Sequence, residues 1–138
     1  MHLTQKEALK IVQTVLTELE KRNKQAIVAV VDSHGELLSF LRMEKAKLSS
    51  ITIAINKAYT SAKSQRTTAE MGKNAKDLVN GFDIAYYGDP RFTGFGGGVP
   101  IWHEGKVIGA VAVSGLSQDE DEEIARIGIG SLGLGINN

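Results

Sequence analysis

The stretch from Phe92 to Gly115, FTGFGGGVPIWHEGKVIGAVAVSG, constrains the fold more than any other part of the chain. Its second half, Val107-Ile108-Gly109-Ala110-Val111-Ala112-Val113, is β-prone and almost continuously apolar. A run with no polar face predicts a central strand covered on both sides. The shorter run Pro100-Ile101-Trp102 precedes it, and His103-Glu104-Gly105-Lys106 has turn chemistry, so the two runs form a predicted β-hairpin. Upstream, Gly94, Gly96, Gly97 and Gly98 crowd together. Glycines leading into such a strand let backbone come close to another segment or to a ligand, as a packed flexible loop or as a pocket wall. A dinucleotide fingerprint is a poor match. Val99 stands where the third glycine belongs, a strand follows instead of a helix, and no Gly-Lys-Ser/Thr closes a phosphate loop.

Composition narrows the function classes. The 138 residues suit one domain, spanning 1–138, with a sizeable core. Lys plus Arg and Asp plus Glu are both 16, which gives no reason to expect a nucleic-acid or anionic-membrane surface. There are no cysteines, so disulfides, thiolate metal sites and a cysteine nucleophile are excluded. The opening MHLTQKEALK lacks the apolar core of a signal peptide, and no apolar run approaches the ~20 residues of a membrane span. A soluble, cytoplasmic protein is the expectation. Near-neutral charge and 15 glycines fit a chain that hides surface in a homo-oligomer.

Thr4 and Glu7 have capping-box spacing, and Ala8, Leu9, Val12, Val15, Leu16 and Leu19 recur at helical intervals, predicting a helix over Gln5 to Arg22. Ala26 to Val31 and Glu36 to Arg42 flank the turn Asp32-Ser33-His34-Gly35 as a second hairpin, with Asp32 accepting from turn N–H groups and His34 facing solvent. Ser49 or Ser50 caps a second helix running to Ser64, with Ile51, Ala54, Ile55, Ala58 and Ala62 as its stripe. Lys57 and Tyr59 flank that stripe, and Lys57 either enters a pocket or snorkels to solvent. Thr67 and Glu70 open a short helix from Thr68 to Lys76, and Ile84-Ala85-Tyr86-Tyr87 is predicted as a short fifth strand. Ser117 begins the last helix, whose acidic run Asp119-Glu120-Asp121-Glu122-Glu123 is read as complementing the helix dipole and not as a metal site. Ile124, Ile127, Gly128 and Leu132 supply its buried face. Ile129, Leu132, Leu134 and Ile136 beyond it predict burial under the sheet or in a subunit interface. The order predicts an α+β domain with a mainly antiparallel sheet of five strands.

Several blocks, in order along nearly the whole chain, resemble the GlcG/HbpS-like family, which also occurs as the C-terminal domain of PduO-type corrinoid adenosyltransferases. They are Val31 to Gly35 with Leu37 to Met43, Ser50 through Ala54 to Thr60, Gly96 to Ile101, Gly105 to Gly115, and Asp121-Glu122-Glu123 with Ala125. The resemblance implies profilin-like α/β/α layers, a homo-oligomer, and haem or another tetrapyrrole as ligand. Adenosyltransferase activity is not implied, because the matching blocks are those of the C-terminal domain alone, and no histidine falls in a block that marks it as the iron ligand.

The residue chemistry leaves two function classes open. His2, His34 and His103 form neither H-x-x-x-H nor H-E-x-x-H, and Ser114-Gly115 lacks the nucleophile elbow, so zinc and serine hydrolases have no support. What remains is an apolar pocket with sparse polar groups, drawn from Arg42, Met43, Lys57, Tyr59, Phe95, Gly97, Gly98, Pro100 and Ile101. Arg42 and Lys57 would meet carboxylates of a porphyrin or a small acid. Donors for haem iron are His103 first, as nearest the glycines in sequence, then His34, Met43, Tyr59 or Tyr87. The first class is a non-enzymatic haem binder, with its ligand between the glycine loop and the second helix or between subunits. The second is a small-molecule enzyme or accessory subunit in which Lys57 and Tyr59 transfer protons.

Overall fold

The computed structural model describes residues 2–134. In chain order it contains α1 (Gln5–Lys21), β1 (Ile27–Asp32), β2 (Leu37–Arg42), α2 (Ser50–Ser64), α3 (Thr68–Lys76), a 3₁₀ turn (Ile84–Tyr87), β3 (Gly98–His103), β4 (Lys106–Ser114) and α4 (Gln118–Gly130). The strands form one antiparallel sheet in the order β2-β1-β4-β3. No helix among the described residues is long and apolar enough to cross a membrane.

The two central strands, β1 and β4, are apolar on both faces because both faces are covered. Val28, Val30, Val111 and Val113 join the core under α1 and α4, while Ile27, Ala29, Val31, Ala110 and Ala112 meet α2. The second face is alanine-rich on the helix as well, at Ala54, Ala58 and Ala62. Small side chains on both surfaces let α2 lie close against the sheet, so groups along its flank come within bonding reach of strand backbone. That closeness positions the site.

Among the described residues, four strands replace the expected five. Ile84–Tyr87 is β-prone, but Asp83 lies at its start and accepts from Ala85 N at 2.9 Å. Gly88, at φ +70°, closes the other end. Local side-chain capping has won over strand propensity there. Helix α1 is capped as predicted, with Glu7 N donating to Thr4 Oγ1 at 3.1 Å and Thr4 N to Glu7 Oε1 at 2.9 Å. Its buried stripe is Ala8, Ile11, Val12, Val15 and Leu19, whereas Leu9 is 52% exposed, rotated off that line by the helical period. Ser49 does not cap α2. Its own φ of −60° and ψ of −24° are already helical, and its hydroxyl makes no cap bond. Past α4, Leu132 and Leu134 pack with Ile129 against the core under α1 and α4; Ile136 lies outside the described residues.

Candidate functional site

The glycine loop is a packed seam. Gly96 N donates to Gln118 Oε1 at 2.6 Å, Val113 N to Gly97 O at 3.2 Å, and Gly98 N to Thr68 Oγ1 at 2.8 Å. Gly97 sits at φ +128°, and a Cβ there would stand 2.6 Å from Val113 O and 2.8 Å from Lys57 Nζ. A Cβ on Gly98 would stand 2.7 Å from Lys57 O and 2.8 Å from Ser61 Oγ. Both positions need glycine because the chain crosses directly over α2 and the end of β4.

Beneath that crossing lies a buried ion pair. Lys57 Nζ donates to Asp121 Oδ2 at 3.2 Å and to Val113 O at 3.0 Å, and the two residues are 2% and 1% exposed. Leu116 N donates to Asp121 Oδ1 at 3.1 Å, which ties the carboxylate to the turn between β4 and α4. Burial pushes the Lys57 ammonium below the ordinary lysine value, with the Asp121 charge opposing the shift. Burial likewise pushes the Asp121 carboxyl up, against the pull of Lys57 and the backbone N–H groups. Lysine does not snorkel here, because a carboxylate and a carbonyl meet it inside.

Lys57 and Asp121 open onto a cavity of about 510 Å³ between the start of α2, the glycine loop and the first turn of α4. Ser50, Ile53 and Lys57 reach it from α2 at i, i+3 and i+7, one flank of that helix. Ser114 and Gly115 to Gln118 close the opposite wall, and Phe95, 53% exposed, stands at the rim with Lys47 and Ser49.

The residues singled out in the sequence do not all meet there. Lys57 and Phe95 line the cavity, and Gly97 and Gly98 pack against Lys57 without lining it. Tyr59 faces elsewhere, with its hydroxyl donating to Asp89 Oδ2 at 2.6 Å under the Arg91 guanidinium, 3.9 Å from the ring centroid. Arg42 and Met43 line a second cavity, of about 620 Å³, with Leu16, Glu20 and Lys24. Pro100 is buried opposite Ala110 in the sheet, and Ile101 is fully buried in the core under α1 and α4. His103 ends β3, about 17 Å along an extended strand from Gly98. His34 lies in the exposed β1–β2 turn, where its N–H donates to Asp32 Oδ1 at 2.8 Å as the turn chemistry predicts. Tyr87 stacks on Phe92 with centroids 4.5 Å apart. Asp121 was hidden in the acidic run. Its spacing to Ile124, Ala125 and Gly128, all buried, is the signal that separates it from its solvated neighbours.

A family model described as haem degrading protein HbpS-like matches residues 3–130. Protein GlcG of Escherichia coli K12 is 35% identical over 112 residues, 81% of each chain. A double mutant of Streptomyces reticuli HbpS superposes with a TM-score of 0.87 at 30% identity, over 96% of this chain and 88% of that one. A PduOC:heme complex superposes over all of both chains with a TM-score of 0.88 at 24% identity, a likeness of fold.

Proposed function

We propose that this chain, which belongs to the HbpS-like family, binds haem or a similar flat tetrapyrrole as an accessory or carrier protein. The observation that carries the reading is the family match over residues 3–130, in a family described by its relation to haem. The fold adds support, since the same architecture holds haem in the PduOC complex.

The residues at the cavity fit part of such a ligand. Phe95, Ile53 and Leu116 offer apolar contact, and Lys47 and Lys57 offer cations for propionates. The lining contains no His, Met or Tyr, so an iron ligand does not come from it. His34 and His103 belong to the far turns of the sheet, and a haem ligated by either would lie away from the glycine loop. When bound, haem would supply iron and an intense Soret absorption. Titrating haem into the protein is expected to shift that band with low-micromolar affinity. His34→Ala and His103→Ala, singly and together, decide whether either histidine ligates, and a wild-type protein that never shifts the band of free haem removes the reading.

Assembly belongs to the same proposal. Leu78, Val79, Phe82 and Tyr86 are 96%, 86%, 46% and 80% exposed along the segment between α3 and β3. Apolar side chains so concentrated favour burial against another subunit in a homo-oligomer. Light scattering that shows a monomer at micromolar concentration sinks that part.

A further inference from the structure

The cavity between α2 and α4 holds more hydrogen-bonding chemistry than an apolar face requires. Ser50 and Ser114 are 4% and 3% exposed and line it, and neither hydroxyl is bonded to any described residue. Neither oxygen is sealed off, since among the described residues Ser61 Oγ is the one fully buried side-chain polar atom without a partner, so both hydroxyls can be met by a polar group in the cavity. Ser49, relieved of capping by its helical backbone, adds a third hydroxyl at the rim. Lys47 and Lys57 are the cations of the lining and Asp121 its one carboxylate, already met by Lys57 and by Leu116 N. Two cations against one anion leave the lining positive. Ser117 and Gln118, at the start of α4, add helix N–H groups to the same wall, while the other acids of that first turn, Asp119 and Glu120, lie outside the lining.

The geometry points to a binding site for a small organic monoanion, its carboxylate held by Ser50, Ser114 and the first turn of α4, with its charge answered by Lys47 and Lys57. Ile53, Leu116 and Phe95 provide apolar contact for a short carbon chain. The site stands whether or not the chain binds haem. A free acid and a haem propionate present the same carboxylate, and the assignment is to the free acid.

The test titrates propionate, and propionamide as its uncharged counterpart, into isotope-labelled protein followed by NMR, with haem titrated in parallel. Propionate is expected to move the amide signals of Ser50, Ser114 and Leu116 to Gln118, while propionamide leaves them in place. The Ser50→Ala/Ser114→Ala variant, its folding checked by thermal melt, is expected to weaken propionate about tenfold or more. The exposed Lys47→Gln is expected to weaken it several-fold and decides the matter if the double variant does not fold. Propionate that moves nothing at tens of millimolar, propionamide that matches it, or Lys47→Gln binding as wild type overturns the site. Haem binding that needs the serines, without any response to propionate, also overturns it and gives those hydroxyls to a haem propionate. A response to propionate in a protein that ignores haem supports the site and sinks the haem reading alone.

Discussion

Lys57 and Tyr59 are near neighbours on α2, and each anchors a cation–carboxylate cluster, yet the two clusters obey different physics. The first is dry. Lys57 and Asp121 have side-chain exposures of 3% and 2%, and neither ion can be rescued by water. The second is wet. Asp89 and Arg91 have side-chain exposures of 22% and 53%, with the guanidinium clamping the carboxylate and covering the Tyr59 ring. In the dry cluster burial is the largest influence on both groups and disfavours both charges. In the wet one hydrogen bonds dominate, and they favour the charge on Asp89. Burial, and not the identity of the ions, decides which cluster holds the fold and which merely fastens a loop.

The largest break in that comparison comes from removing one dry partner. Asp121→Ala leaves Lys57 buried without its carboxylate and frees Leu116 N, and is expected to destabilise the protein by about 3–5 kcal/mol. The equivalent change in the wet cluster should be far smaller, since solvent replaces the lost partner. Removing both dry charges with Lys57→Met/Asp121→Asn should cost much less than the sum of the single changes, because the amide oxygen can still take Leu116 N. Linkage gives the sign. Asp121, raised by burial, contributes below 3.8 and loses that contribution as pH rises through its folded value. Lys57, lowered, contributes above 10.5 and loses it as pH falls through its folded value. Chemical denaturation across pH should therefore show the double variant gaining on wild type in the neutral range. Additive single effects would mean that the pair is not coupled.

Next in size is the seam that seals the dry side. Gly97→Val puts a Cβ against Val113 O and Lys57 Nζ at a positive φ that valine rarely adopts. A loss of about 3 kcal/mol is expected in thermal or denaturant unfolding. Wild-type stability in that variant would make the loop an ordinary connector and would leave the Lys57 pair with a removable lid.

How much of this the sequence discloses follows the same division. The unbroken apolar run of β4 is legible because burial on both faces removes every polar position, and the capping boxes of α1 and α3 are legible because both partners lie three residues apart. The family blocks disclose the family across nearly the whole chain. The 3₁₀ turn at Ile84–Tyr87 is not legible from propensity, since one carboxylate at Asp83 sets it. Asp121 is masked by the acids around it, and the fate of Lys57 depends on a partner distant in sequence. The expected pocket set divides where strand alternation decides direction: Ile101 and Pro100 adjoin in sequence but occupy opposite faces of the sheet. Tyr59 and Lys57 part for the helical version of that reason.

The smallest expected effect sharpens the comparison most, because it reads both clusters in one experiment. NMR titration of the side-chain carboxyls should find Asp89 below the ordinary aspartate value of 3.8, held down first by Arg91 and then by the Tyr59 hydroxyl. It should find Asp121 above that value, for want of water. The depressed group contributes fully above 3.8 and loses its contribution as pH falls through its folded value. Acid should therefore loosen Asp89 to Thr93 from α2, seen as faster amide exchange there, while Asp121 is already protonated and still inside. Tyr59→Phe removes one of the two side-chain donors, so the Asp89 carboxyl should move up toward its ordinary value and Tm should fall by no more than about 3 °C, as for a part-buried bond whose carboxylate keeps its Arg91 partner. A larger loss would show that the Asp89 cluster is also holding the fold, and an Asp121 that titrates below Asp89 would reverse the assignment of dry and wet.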